Sequence, residues 1–188
     1  MTLFEYLTVA ISIVLSMSIV RALENVGDVV DPARRDRVHV IWFLAKGFSP
    51  ALTWWSIWGL HDQTTWNYFA FLLCLTGPVV LFFQITTLTT REPDEVPDWG
   101  EHFMAVRRRF FGAEIAGAFV SPALIASLGD YRTMQFLLAG AVFEATLGVI
   151  GLSTENRRVH LALAIFVVLR LMVLTSFVYQ PMGDGSLS

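Results

Sequence analysis

Apolar residues fill six long segments of the chain, and short polar stretches separate them. The segments are Leu3–Leu23, Val38–Leu60, Trp66–Leu88, Phe110–Leu128, Met134–Leu152 and Val159–Tyr179. Each is about as long as the run of roughly 18 to 20 apolar residues that an α-helix needs to cross a bilayer. The alternation typical of a membrane β-barrel does not occur. The pattern therefore predicts an all-α membrane protein, a six-transmembrane helix bundle in which residues 1–188 form one integral membrane domain.

An amphipathic segment precedes the fourth apolar run. Asp98 and Glu101 form a capping-box pattern, and apolar residues then recur at helical spacing. We predict a short interfacial helix over about residues 98–109, between the third and fourth spans. Its arginines would each gain about 1 kcal/mol from anionic lipid headgroups. The predicted lipid-interface residues are Trp99, Phe103, Arg107, Arg108 and Arg109. A docking surface for a soluble partner is the alternative.

The cations are distributed unevenly between the two ends of the predicted spans. Those flanking the first, third and fifth connections are Arg21, Arg34, Arg35, Arg37, Arg91, Arg107, Arg108, Arg109, Arg157 and Arg158. Only Arg132 flanks the opposite ends. Since loops rich in Lys and Arg stay in the cytoplasm, we predict that both termini are periplasmic. No basic segment precedes the first apolar run, so we expect this run to be retained as a span.

Composition agrees with a membrane protein and argues against several kinds of site. Hydrophobic residues make up 55% of the chain and charged residues only 15%, too little charge to cover a water-exposed surface. Cys74 is the single cysteine, so a cysteine-built metal cluster is excluded. No catalytic or phosphate-binding motif occurs, so we predict no catalytic residues, cofactor, metal or nucleic-acid partner. His39 and His160 lie at matched depth, which leaves haem as the alternative to ordinary interfacial hydrogen bonds.

Arg170 interrupts the last apolar run near its middle. It follows Arg158 by 12 residues, or about 18 Å of helix, which places it near the midplane of a core about 30 Å thick. An unpaired arginine there costs at least ~2.5 kcal/mol. Glu144 lies at a similar depth in the fifth span, so we predict that it pairs with Arg170. Gly140 and Gly148, one turn to either side of Glu144, are expected to let the two helices approach closely.

A second pair is predicted nearer the cytoplasm. Lys46 and Glu114 differ in depth by about 6 Å, which the flexible lysine side chain can bridge. Glu24 and Asp28 are alternative partners for Lys46. Either predicted ion pair is a static contact that fixes helix register, or it marks a pathway for protons, ions or a solute.

Prolines lie inside three of the spans. Pro50 and Pro122 occur in a repeated SPAL tetrapeptide, and Pro78 lies in the third span. Proline removes a backbone donor and clashes with the carbonyl four residues earlier, so we predict a helix break or kink at each. Kinked helices leave cavities near the midplane of transporters. Proline is also more frequent in membrane helices than in soluble ones. On this alternative interpretation the three prolines have no functional role.

Two functions fit these features. The first is permeation or transport of ions, protons or a small solute, in which Glu144 and Arg170 gate or couple at the midplane. The alternative is a non-catalytic accessory subunit of a larger bacterial membrane complex. The first span carries Thr8, Ser12 and Ser16 at every fourth residue, a strip that suits close contact with another helix, either within the bundle or in a second subunit. An oligomer or larger complex is therefore expected, and an enzyme is the least favoured class.

The order of three segments resembles a family of small bacterial multi-span proteins of about this length, 188 residues. The segments are FEYLTVAISIVLSMSIVRALENVG, HVIWFLAKGFSPALTWWSIWGLHDQTTWNYFAFL and EHFMAVRRRFFG. The WW pair and the F-x-x-x-RR-x-FF pattern carry the likeness. The resemblance implies a protein of the bacterial cytoplasmic (inner) membrane and implies no catalytic residues.

Overall fold

The computed structural model describes residues 2–178, and helices are the only regular secondary structure in that range. The helices are Leu3–Val29 (α1), Arg37–Ile57 (α2), Tyr68–Leu88 (α3), Trp99–Ala118 (α4), Val120–Ser127 (α5), Tyr131–Ser153 (α6) and Arg157–Val178 (α7), with single 3-10 turns at Trp58–Leu60 and Pro93–Glu95. Helices α4 and α5 together occupy one predicted span. The predicted all-α fold with six long helical segments is therefore confirmed. Tyr179, the last residue of the predicted sixth span, lies outside the described residues.

Four helical segments are long and apolar enough to cross a membrane. By length and composition these are Leu3–Val29, Tyr68–Leu88, Trp99–Ser127 and Tyr131–Ser153. Large apolar side chains face outward from them, among them Val9 at 58% and Phe136 at 81% exposure. Extensive apolar surface of this kind is typical of helices that contact lipid. Helices α2 and α7 carry the charged residues Lys46 and Arg170. The statement that these two helices also cross the membrane stays a sequence prediction.

Short polar side chains determine where most helices begin. The Thr2 hydroxyl accepts a hydrogen bond from the Glu5 N–H, and the Glu5 carboxylate accepts one from the Thr2 N–H. Such caps satisfy N–H groups that have no partner within the helix, and each contributes about 1 kcal/mol. The residues that cap α2, α3, α4 and α6 through their side chains are Asp36, Asn67, Asp98 and Asp130.

The predicted interfacial helix is not a separate element. Asp98 caps α4 as expected, but the helix continues to Ala118 because no proline interrupts it. Trp99 and Phe103 are 0% and 1% exposed, so placing their rings among lipid headgroups was wrong. Trp99 stacks on His39 instead, with ring centroids 4.9 Å apart. The apolar face of this segment therefore packs inside the bundle. The arginines that remain exposed are Arg108 and Arg109.

The three prolines affect their helices differently. Pro50 and Pro78 lie inside α2 and α3, and both helices run through them without ending. A break occurs only before Pro122, where α4 ends at Ala118 and α5 begins at Val120. Pro122 has no N–H to bond the Ala118 carbonyl four residues earlier, and its ring clashes with that carbonyl. The predicted break is present at one proline of the three.

Helices α2 and α3 lie at the centre of the bundle. Helix α1 packs against both, α4 packs on α3 and α6, and α5 lies against α3 and α6. Helix α7 packs mainly along α2 and only slightly on α6, although residues 154–156 alone connect α6 to α7. The short connection therefore does not make these two helices close neighbours along their length.

Two glycines of α6 allow the close approach of α4. A Cβ atom at Gly148 would lie 2.6 Å from Ile115 Cγ1, and one at Gly151 would lie 2.5 Å from Phe111 Cε1. Close-packed interiors do not accommodate such overlaps without movement. The expectation that Gly140 and Gly148 admit α7 was wrong, since Gly140 faces open space and Gly148 receives side chains of α4.

Replacing Gly151 by alanine should destabilise the protein by about 1–3 kcal/mol, because the new methyl group overlaps the buried Phe111 ring. Gly140→Ala on the same helix is the matched control, and it should leave the Tm unchanged or raise it, since alanine favours helix. Thermal unfolding of the purified protein in detergent measures both. Equal Tm values for the two variants would contradict the packing of α4 on α6.

Candidate functional site

A buried polar cluster joins α2, α3 and α4 near the middle of the bundle. The Lys46 ammonium donates to Glu114 Oε2 at 2.5 Å, and the two side chains are 12% and 14% exposed. The Gln84 amide donates to the same carboxylate oxygen. Glu114 is therefore the partner of Lys46, whereas Glu24 lies 3.9 Å from Arg21. Hydrogen bonds that involve a charged group are roughly twice as strong as neutral ones, so this contact holds three helices together.

A second ion pair joins α6 to α7. Arg170 Nη2 donates to Glu144 Oε1 at 2.7 Å. Both side chains are about one-third exposed, 34% for Arg170 and 27% for Glu144. The long arginine side chain spans the space between two helices that otherwise touch little. The pairing of Glu144 with Arg170, which was predicted from their similar depths, is therefore confirmed.

Both ion pairs line a single cavity of about 190 Å³. At about 30 Å³ for each water molecule, this volume corresponds to about six waters. The polar residues of its wall are Lys46, Ser49, Thr53, Gln84, Glu114, Glu144 and Arg170, and the rest of the wall is glycine and apolar side chains. All four of the predicted intramembrane charges therefore meet at one place rather than at two separate helix contacts.

The cavity extends along one face of α2 toward one end of the bundle. Lys46, Ser49 and Thr53 lie at positions i, i+3 and i+7 of α2 and so share one face. On the antiparallel helix α3, the lining runs from Gln84 back to Gly77. The seven residues from Lys46 to Thr53 correspond to about 10 Å of helix. The cavity thus extends from the charges toward the connection between α2 and α3, the end for which the sequence predicts a periplasmic location.

Aromatic side chains separate the cavity from the opposite end. Trp42, one turn before Lys46, packs edge-on against Phe110 and Phe111, with ring centroids 5.0 and 5.5 Å apart. None of the three is more than 2% exposed. Other buried members of this layer are Leu88, Phe103, Leu163 and Ala164. Close packing of these rings makes an apolar layer in which the polar cavity ends.

A small gap connects the aromatic layer with the charges. It measures about 10 Å³, and its wall includes Trp42, Glu114, Glu144 and Arg170. This is near the minimum volume for one water molecule. The Trp42 indole N–H is buried and has no partner among the described residues, and buried donors normally have one.

Ion pairs connect the loops at the aromatic end of the bundle. Arg107 donates to Glu155 at 2.5 Å, and Arg157 lies 3.7 Å from Asp36. Arg34 donates to the main-chain carbonyl of a residue in the α3–α4 connection at 2.8 Å. Arg107, predicted to contact lipid, is thus engaged within the protein. Three connections that are far apart in the sequence are held together at this end.

The buried histidines bind main-chain carbonyls. His39 Nε2 donates to the Leu88 carbonyl at 2.8 Å, and His160 Nε2 lies 3.1 Å from the Thr154 carbonyl. The Phe103 ring contacts both imidazoles, with centroids 6.4 and 5.4 Å away, and each Nε2 atom is already engaged by a carbonyl. These residues therefore do not fit axial haem ligation. No group of three His, Cys, Asp or Glu side chains within residues 2–178 is placed to hold a metal ion.

Sequence reasoning missed two members of the site. Gln84 is 4% exposed and lies within the otherwise apolar segment LFFQI. An amide inside a predicted span is costly unless it is hydrogen-bonded, so this residue was a usable signal. Trp42 gave no comparable signal, because a tryptophan in an apolar run is as compatible with core packing or a lipid interface as with a cavity wall.

Comparison with known proteins does not identify a function for this site. No family model, curated protein or solved structure matches the chain. The resemblance to small bacterial inner-membrane proteins stays a prediction.

The Lys46→Met variant should lose about 3–5 kcal/mol of stability, because it leaves the buried Glu114 carboxylate without its cation. Adding Glu114→Leu should recover most of that loss, since no uncompensated charge then remains. A double-mutant cycle measured by unfolding in detergent tests the coupling. Strictly additive effects would contradict it, and Glu101→Gln, an exposed position on α4, controls for the loss of a carboxylate.

Proposed function

We propose that this protein crosses the membrane six times and moves protons or a small polar solute through the midplane cavity. The convergence of Lys46, Glu114, Glu144 and Arg170 on one cavity carries this proposal. Buried ion pairs that serve stability alone are commonly no better than apolar residues of similar size. Ionisable groups inside membrane proteins commonly belong to proton, ion or substrate pathways.

The two carboxylates are the groups best suited to exchange a proton or to bind a cationic group. Both ion pairs line the same cavity, so a change of charge at one pair alters the electrostatic potential at the other. Protonation of either acid weakens its hold on the neighbouring cation. That cation can then direct all of its donors to a solute, which is a direct way to couple proton and solute movement.

Transport through the cavity requires the aromatic end to open. The layer around Trp42 and Phe111 must then separate, together with the ion pairs Arg107–Glu155 and Asp36–Arg157. Each pair has one exposed partner, Glu155 at 76% and Arg157 at 56%, and one largely buried partner, Arg107 at 11% and Asp36 at 19%. These pairs would separate and form again as the bundle alternates between two openings.

The Glu144→Gln variant should reduce transport at least about tenfold, which corresponds to about 1.4 kcal/mol, because the amide can neither take up a proton nor neutralise Arg170. The readouts in proteoliposomes are proton entry, followed with an enclosed pH-sensitive dye, and liposome swelling in small polar solutes. An unchanged rate in both readouts would overturn the transport proposal. The matched control is Glu101→Gln, which should retain the parent rate.

A second candidate function, a non-catalytic subunit of a larger complex, is favoured by the surface of α1. Ser12 and Ser16 line an outward groove with Phe82, and Arg21 and Glu24 lie at one end of it. Ser12 and Ser16 thus lie at the surface of the bundle, where they permit another helix to approach closely. Native mass measurement with lipids retained tests this function. An oligomer or a complex would support it, and a lone 21.1 kDa particle would contradict it.

A further inference from the structure

We infer that the cavity binds a small zwitterion, a solute of about six non-hydrogen atoms that carries one carboxylate and one ammonium group. The inference rests on the proposed function, because it names the solute that the midplane cavity would carry. Charge balance, unused hydrogen-bonding groups and cavity size each support it.

The charges around the cavity sum to zero. Lys46 and Arg170 contribute two positive charges, and Glu114 and Glu144 two negative ones. A solute with net charge would leave that charge uncompensated in surroundings of low dielectric constant, at a cost of several kcal/mol. A zwitterion preserves the balance, and each of its ends can interact with a wall group of opposite sign.

The cations of the wall keep donors for an incoming carboxylate. In the described part of the chain, Lys46 has one hydrogen-bond acceptor, Glu114, and Arg170 has one, Glu144. A lysine ammonium carries three donors and an arginine guanidinium five. Neither group therefore has to release its glutamate to bind the solute.

Acceptors for an ammonium group lie on the same wall. The contact with Arg170 uses Glu144 Oε1, and a carboxylate offers about four lone-pair sites on its two oxygens. The Ser49 hydroxyl donates to the Ala45 carbonyl at 2.8 Å, so its oxygen remains able to accept. An ammonium group between Glu144 and Ser49 would find acceptors from two helices.

Cavity size limits the solute. A volume of about 190 Å³ corresponds to about six waters, so a compact solute such as alanine, with its three carbons, one nitrogen and two oxygens, fits without displacing helices. Val80, Leu81, Val167 and Leu171 supply apolar wall, which suits a methyl group. The aromatic layer at Trp42 closes one end of the cavity, so a solute would enter from the end near the α2–α3 connection.

Isosteric probes test the charge pattern on the unmodified protein. Isothermal titration of the full chain in lipid nanodiscs compares L-alanine with isobutyrate, L-alaninamide and isobutyramide, which keep six non-hydrogen atoms and remove the ammonium, the carboxylate or both charges. Alanine should bind at least about tenfold more tightly than each of the other three. Equal binding of isobutyramide, equal or tighter binding of either singly charged probe, or no binding of alanine would each overturn the inference.

Variants of two cavity residues test whether alanine binds at this cavity. The double variant Glu144→Gln with Arg170→Gln keeps the charge balance and should weaken alanine binding at least about tenfold, while Glu101→Gln should leave it unchanged. Undiminished binding by a folded double variant would overturn the assignment to this cavity. Proton flux that depends on Glu144 without alanine binding would overturn the zwitterion alone, whereas alanine binding without any flux would overturn the transport function alone.

Discussion

Neutralisation of charge within a low-dielectric interior is the constraint on which this bundle depends. Burying a charge without a partner costs several kcal/mol, so Lys46 on α2 and Arg170 on α7 each need an acid nearby. Glu114 and Glu144 meet that need from α4 and α6. These two contacts tie α2 to α4 and α6 to α7. Any movement that separates either pair of helices leaves a charge without its partner.

The same contacts explain why a cavity exists where close packing is expected. Helix α7 lies mainly against α2 and barely against α6, and the Glu144–Arg170 pair spans the space between them. Polar side chains around that space tolerate water, whereas an apolar void of this size would lose van der Waals contacts without compensation. Toward the other end, Gly151 lets the Phe111 ring lie directly on α6, and the aromatic layer fills the interior. One bundle thus combines an open polar half with a closed apolar half.

Part of the site could be derived from the sequence because the position of a residue along a helix follows from its residue number. Residue number multiplied by helical rise places Glu144 beside Arg170 and Lys46 beside Glu114, and a charge without a partner is too costly to ignore. The sequence contains no comparable measure of how each helix is rotated about its own axis. The sequence consequently placed Trp99 and Phe103 in lipid headgroups and assigned Gly148 to the wrong neighbour, whereas these residues pack within the bundle or against α4.

Local chemistry in the sequence determined that the chain is helical, where most helices begin, and which residues carry charge into the apolar interior. Caps such as Asp36 and Asp98 act within three residues, and hydrophobic length is an additive property of a segment. The tertiary structure alone decided that both ion pairs share one cavity with Gln84, and that Trp42 and Phe111 end it. These contacts depend on the relative positions of several helices, and the packing of all side chains together sets those positions.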